Sequence, residues 1–361
     1  MIDSNQKDWD DPSISRKSYR NDVNAYISWK GCGFLSNPTI YDVAKLSGVS
    51  TATISRAFSN PEQVRESTRR RVFETAEALH YYPNSIARAM ARQRTDKIAF
   101  LICKKDATIL DEFYARICES IMHCTNSLDY QLLISTEQEW HQTTQGKQID
   151  GVLLGGNAGM DTIAELKNQN AAVVLINNRI SGADLPCVIS DEVGGMHQAV
   201  EHLYQKGHRS IALIAGRLCP YILGERYNAF LGAMNDFRLP VDPANIRMCE
   251  PTIEVATETA LELLDRRDRP TAVIGANDVI AAGTYKAASR LGLRIPQDLA
   301  VIGVDDSTLC TVLEPELTSV HIDCHSMGEL AVERLKALLH GETEEPRTTV
   351  VPTELRVRGS T

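Results

Sequence analysis

Two kinds of apolar spacing divide the chain. Between Pro38 and His80 the apolar residues recur every three or four positions, the spacing of amphipathic helices. Ile40, Val43 and Ala44 share one face of a first helix, and Ile54 and Phe58 point inward from a second. A third is expected to open at Ser67-Thr68 and run to His80, with Val72, Phe73, Ala76 and Leu79 as its inner stripe. From Ile98 the pattern changes to short apolar runs, expected as strands at Ile98–Ile102, Gln131–Ile134, Gly151–Leu154, Val173–Ile176, Ile211–Ala215, Ala272–Gly275 and Ala300–Val304. Amphipathic helices are expected between and after them, at Asp111–Ser127, Gly195–Lys206, Gly224–Phe237, Ile253–Leu264, Ile280–Leu291 and Ser326–His340. Such alternation predicts parallel sheets covered by helices, and the number of strands points to two lobes rather than one. In folds of this class ligands bind beyond the carboxyl ends of the strands.

The stretch Pro38–Phe58 carries the sharpest local chemistry. Thr39 with Asp42 three residues on suits a helix start, Gly48 suits the left-handed turn that ends it, and Ser50 suits the cap of the next helix. Helix, tight turn and helix then leave Thr51, Ala52, Ser55 and Arg56 together on the face opposite Ile54 and Phe58. A short, uncrowded face with one forked donor suits insertion into a DNA major groove. Ser59-Asn60-Pro61 reads as a turn. Arg69, Arg70 and Arg71 fall in the first turn of the third helix, where the dipole disfavours cations; they read either as phosphate contacts or as a solvated face. Tyr82-Pro83-Asn84 breaks the chain, and Ser85–Arg92 can form a helix too short to be stable alone.

Charge sharpens this division. The formal net charge is −9, which taken alone argues against a nucleic-acid protein. Residues 38–97, however, carry ten Lys and Arg against six Asp and Glu, residues 1–37 carry five of each, and the rest is strongly acidic. A basic head on an acidic body confines non-specific DNA attraction to the head. A chain of 361 residues with 43% hydrophobic content allows two or three ordinary domains. The longest apolar run, Ala171–Ile176, falls far short of a membrane span, and no basic-then-apolar signal pattern opens the sequence, so a cytoplasmic protein is expected. Nine cysteines without paired spacing read as free thiols. Residues 1–37 lack periodicity and read as a disordered extension, although Trp9, Tyr19, Tyr26 and Trp29 could dock elsewhere.

Other signals are weaker. His321, Cys324 and His325 form a tempting metal trio, but a complete zinc site needs a fourth group from elsewhere. Gly155–Gly159 follows a strand without the spacing of a dinucleotide fingerprint, and neither a nucleophile elbow, a metalloprotease helix nor a phosphate-binding loop occurs. No enzyme activity, cofactor or metal is expected. Asp305-Asp306 reads either as a solvated turn or as a ligand contact, and Asn277-Asp278 either as a helix cap or as a ligand contact.

The run YDVAKLSGVSTATISR, then YYPNSIARAMA, GVLLGG, VEHL with KGHR, GANDVIAAG, GLRIPQDLAVIGVDD and LTSV resembles the LacI/GalR family of bacterial transcription repressors, in order and spacing, from Pro38 to Arg358. The resemblance implies an α/β architecture with a small all-α helix-turn-helix head at residues 38–82. A hinge helix and linker follow at 83–97, then a two-lobed body with parallel sheets at 98–358, similar to type I periplasmic binding proteins. Three crossovers should link the lobes, with Ser326–His340 in the first and Val350–Val357 in the second. Carried over by position, Thr51, Ala52 and Arg56 face bases, Ser50 and Ser55 meet phosphates, and Met90 stands where a leucine usually wedges between base pairs. The cleft residues implied are Asn177, Asp191, Arg226, Asn277 and Asp305. VLINN resembles members that sense sugars, so the function implied is a repressor whose affinity for a pseudo-palindromic operator is set by a sugar; the alternative is a sugar-binding receptor without a regulatory role. Two departures stand out: a shortened segment between Ile134 and Ile149, and Thr108-Ile109-Leu110 in place of the usual Asn-Pro-Phe. The chain stops soon after Arg358 without leucine heptads, so a homodimer is expected rather than a tetramer.

Overall fold

The computed structural model describes residues 38–59, 61–81, 95–103, 112–126, 130–137, 139–140, 149–216, 220–342 and 347–361. Met90 and the expected Ser85–Arg92 helix lie outside them, as do residues 1–37, Thr108–Leu110 and most of the segment between Ile134 and Ile149. The chain separates into two compact units that divide between Thr95 and Asp96.

In the first unit, α1 (Ile40–Ser47), α2 (Thr51–Ser59) and α3 (Glu66–Ala78) enclose Val43, Ile54, Ala57, Val72, Ala76 and Leu79. One member of the expected stripe is displaced. Phe73 stays 38% exposed and meets Phe58 edge-on at 4.9 Å, while Thr75 is buried with its hydroxyl donating to the Arg71 carbonyl. A β-branched residue that satisfies its own hydroxyl within the helix fills the inner position, and the larger ring closes the rim.

The second unit begins with β1 (Lys97–Cys103), α4 (Glu112–Asn126), β2 (Gln131–Thr136), β3 (Gly151–Gly156), α5 (Met160–Asn168), β4 (Ala172–Ile176) and β5 (Cys187–Ser190). It continues with α6 (Glu192–Gln205), β6 (Ile211–Gly216), α7 (Pro220–Asp236), β7 (Ile246–Cys249), α8 (Ile253–Leu264), β8 (Ala272–Gly275), α9 (Asp278–Arg290) and β9 (Ala300–Asp305). The last elements are α10 (Leu309–Val312), β10 (Thr318–Ile322), α11 (Cys324–Leu339), β11 (Thr348–Val351) and β12 (Thr353–Arg356). They form two six-stranded sheets, ordered β11-β5-β4-β3-β1-β2 and β12-β10-β9-β8-β6-β7. Every residue of β3 and of β6 is buried, as central strands covered by helices on both faces must be.

The lobes are joined by three crossovers: Asp191 between β5 and α6, Asp323 between β10 and α11, and Pro352 between β11 and β12. As expected, α11 returns to the first lobe and packs on β3, β4 and β5. The expectation that Val350–Val357 lies wholly in the second lobe is corrected. Val350 and Val351 pair in parallel with Ile189 and Ser190 of the first sheet, and only Thr353–Arg356 joins the second, antiparallel to β10. Pro352, which has no N–H for a ladder, is where the chain changes sheets. The second sheet is therefore mixed rather than parallel throughout. Two crossovers are also tied together: the Asp191 N–H donates to the Val351 carbonyl at 2.9 Å, and the Thr353 hydroxyl donates to the Asp191 carbonyl at 2.9 Å.

Candidate functional site

In the head, local chemistry sets the geometry. The Asp42 carboxylate accepts both the Thr39 backbone N–H and the Thr39 hydroxyl at 2.8 Å, which fixes the start of α1. Gly48 takes φ +66° and returns its N–H to the Ala44 carbonyl, a left-handed stop that costs little only without a Cβ. Ser50 then caps α2, its Oγ accepting the Thr53 N–H at 3.2 Å and bonding the Thr53 hydroxyl at 2.9 Å. Ile54 and Ala57 are fully buried. On the opposite side Ala52, Ser55 and Arg56 are exposed and Thr51 is half-buried. The structure thus brings the expected face together, with a guanidinium that makes no ion pair or hydrogen bond among the described residues. On α3, Arg69 is drawn to Glu66, and Arg70 to Glu74 at 3.8 Å.

The second cluster lies where the lobes meet, at the carboxyl ends of β4, β5, β8 and β9. Arg226 of α7 is buried at its centre. Its Nε donates to Glu192 Oε2 at 2.5 Å and its Nη2 to Glu192 Oε1 at 3.1 Å. Nη1 donates to the Ala276 carbonyl, and Nη2 reaches Asp305 Oδ1 at 3.5 Å. Burial disfavours the charged guanidinium, but Glu192 and Asp305 outweigh it and raise the Arg226 pKa. The Ser190 hydroxyl, at the end of β5, lies 2.7 Å from Glu192 Oε1 and 3.0 Å from Asn177 Oδ1. Asn177, Arg226 and Asp305 are thus joined through Ser190 and Glu192. Asp191 stands beside them as the cap of α6, accepting the Gly194 N–H at 2.9 Å. Asn277 caps α9 by accepting the Ile280 N–H at 2.9 Å, which engages its oxygen.

Glu192 is the most central of the residues the sequence reading missed. Its adjacency to Asp191 at the head of a helix reads as ordinary dipole complementation. Its partner stands 34 residues away, and no local pattern announces that.

The solvated-turn reading of Asp305-Asp306 is overturned for Asp306. It is buried and holds Arg356 and Arg358 at 2.6 Å each and His321 at 3.1 Å. Burial alone would raise its carboxyl, but the Arg358 bond and the charges of Arg358, Arg356 and His321 bring it below the ordinary value. The same bonds account for His321, while Cys324 is buried in the apolar core and His325 faces Glu329 at 3.6 Å.

Behind the turn sits Asp278, almost wholly buried. It accepts the Ser307 N–H at 2.6 Å, the Ser319 hydroxyl at 2.7 Å and the Cys310 thiol at 3.3 Å; burial raises its pKa. Gly303 makes room for it, since a Cβ there would lie 2.1 Å from Asp278 Oδ1. Asp305 is held at φ 102°, a backbone conformation that an L-residue keeps only when its surroundings impose it, and Asp306 at φ 51°, in the left-handed region that Asp tolerates. The same turn touches the first lobe. Glu112 of α4 accepts the Thr308 N–H and hydroxyl at 2.8 and 2.9 Å, and Arg116 donates to the Asp306 carbonyl at 3.1 Å.

Residues 39–84 match the family of bacterial regulatory proteins described as the lacI family, and residues 200–361 match the periplasmic binding protein-like domain. Catabolite control protein A of Priestia megaterium is 32% identical over 334 residues, covering 90% of this chain and 99% of its own. The HTH-type transcriptional repressor CytR of Escherichia coli (strain K12) is 32% identical over 335 residues, covering 90% of this chain and 96% of its own. Among solved structures, a complex of the transcriptional regulator CelR with cellobiose superposes with a TM-score of 0.69 at 29% identity, over 90% of this chain and 100% of that one.

Proposed function

The chain belongs to the lacI family of bacterial regulatory proteins, and from that premise we propose that it is a cytoplasmic, dimeric transcriptional repressor whose grip on a pseudo-palindromic operator is set by a sugar held between its lobes. The observation that carries this reading is the pairing, in one chain, of an exposed α2 face with a polar cluster at the seam between two lobes. Arg56 supplies two parallel donors for guanine O6 and N7, Ala52 meets at most a thymine methyl, and Thr51 completes the base-facing set. Ser50 and Ser55 flank it as phosphate contacts. Met90 of the hinge would enter the minor groove as an apolar wedge.

In the body, Asn177, Asp191, Arg226, Asn277 and Asp305 are the proposed sugar contacts. The Asn277 cap uses the amide oxygen and leaves Nδ2 as a donor, and Asp305 offers acceptors to hydroxyls. Bonds across the seam, from Glu112 to Thr308 and from Arg116 to the Asp306 carbonyl, are contacts that a change in the relative arrangement of the lobes would make or break. Ligand affects DNA affinity through its differential affinity for such arrangements.

A second copy would cover the apolar side chains left exposed at the edges of both sheets. Among them are Ile134 of β2 with Met122 of α4 in the first lobe, and Met248 of β7 with Val255 of α8 in the second; β2 and β7 are sheet edges that a lone protomer would leave open. No helix among the described residues is long and apolar enough to cross a membrane. A gel-shift of the full-length protein on its own upstream DNA tests the reading. A shift that survives competition by random DNA is expected, and no shift at low salt refutes it.

A further inference from the structure

The cleft contains a carboxylate that competes with any acidic ligand for its central cation. Glu192 is 8% exposed and meets Arg226 through both of its oxygens. Asp305 and the Ala276 carbonyl take further donors of the same guanidinium. The fork that would receive a phosphate or carboxylate is therefore already filled by the chain itself. An anion arriving there would have to displace Glu192 and leave it buried without its counter-charge, among the costliest arrangements a protein interior can hold. The surrounding charge points the same way. At the seam Glu112, Asp191, Glu192 and Asp305 set four carboxylates against Arg116 and Arg226, and the Arg116 guanidinium is turned to the Asp306 carbonyl. Among the described residues the further cations of this region are Arg356 and Arg358, both engaged by Asp306, and exposed Arg179, near Tyr221, too solvated to offset a buried anion. Among the described residues acceptors dominate, and what complements them is a ligand rich in hydroxyl donors and without negative charge.

We propose that the effector of this protein is an uncharged polyhydroxyl compound, and that Glu192, by occupying Arg226, is the residue that excludes phosphorylated and carboxylated relatives of it. The proposal rests on the reading of the seam as the effector site. Phosphate esters and acids of the same sugar skeletons bind at least tenfold more weakly than their neutral parents, whatever the skeleton.

The test is calorimetric titration of the full-length protein with matched pairs: D-glucose and D-glucose 6-phosphate, D-glucose and D-glucuronate, D-ribose and D-ribose 5-phosphate, uridine and uridine 5′-monophosphate, with cellobiose added. Operator affinity is measured beside each. Binding confined to neutral members supports the inference. An anionic member that binds as tightly as its parent and changes operator affinity overturns the inference and leaves the effector site standing. If no member of either class binds or changes operator affinity, the effector reading and the inference fall together. Glu192→Gln supplies the second arm, its melting temperature showing whether it is folded. In the folded variant the neutral-to-anionic ratio is expected to fall at least tenfold, because Arg226 is released; an unchanged ratio removes Glu192 as the determinant. Should the variant not fold, the matched pairs on the native protein still decide.

Discussion

The exposed face of α2 and the polar cluster at the seam place their arginines in opposite settings. Arg56 stands exposed on a helix whose position is fixed by neighbours within a few residues: Asp42 on Thr39, Gly48 at the turn, Ser50 on Thr53. Arg226 is buried and fixed by groups drawn from α6, β9 and the end of β8. The first makes no ion pair or hydrogen bond among the described residues, and the second is already ion-paired within the protein. Binding should therefore be separable from folding in the head and inseparable from it at the seam.

The largest expected effect breaks the seam. Arg226→Ala leaves Glu192 buried without a counter-charge, and a loss of about 3–5 kcal/mol of body stability is expected in urea melts. Retention of native stability would mean that water reaches Glu192 and that the cluster is not sealed. Next, Arg56→Ala should cost about 1–3 kcal/mol of affinity for the cognate operator in gel-shift titration, with no change in melting temperature. Equal loss on random DNA would reduce Arg56 to a phosphate contact.

Ser50→Ala sharpens the contrast, because Ser50 serves the head as a cap. A loss of about 1 kcal/mol in head stability is expected from thermal melts, beside the loss of its phosphate contact; an unchanged melting temperature would show that its bond to Thr53 adds nothing to the head. The smallest effect concerns acid. Arg358, Arg356 and His321 hold the Asp306 carboxyl below its ordinary value. A depressed folded-state pKa stabilises above the unfolded value of about 3.9 and is lost as pH falls through the folded value. Asp306→Asn should therefore lower stability at neutral pH and flatten the acid limb of a stability profile below about pH 4. An unaltered acid limb would place the acid sensitivity elsewhere.

The same contrast explains what could be read from the chain. The caps and the turn of the head were legible because caps, turn glycine and helical spacing act over three or four positions; the third helix opens at Glu66 and ends at Ala78 rather than spanning Ser67 to His80, which carries Arg70 and Arg71 past its first turn, and Phe73 was misplaced, since burial of Thr75 depends on how α3 docks. The alternation of strands and helices in the body was equally plain. Strands β5 and β7 were missed although β8, equally short, was found: Cys187–Ser190 follows Pro186, and Ile246–Cys249 lies on a half-exposed edge. Of the residues that meet at the seam, Asn177, Asp191, Arg226, Asn277 and Asp305 follow from the family resemblance. Glu192, Ser190, Glu112 and Arg116 do not. Their roles arise only when separate strand ends and helices converge, and a buried ion pair between residues 34 apart leaves no periodic trace.

The most direct test of the account is the affinity of the full-length protein for its upstream DNA, measured by fluorescence anisotropy with and without a saturating neutral sugar chosen by thermal shift. The account predicts tight binding to one site over random DNA and a change in Kd of about fivefold or more on adding the sugar. A Kd that is the same with and without sugar, or the same for random DNA, would contradict it.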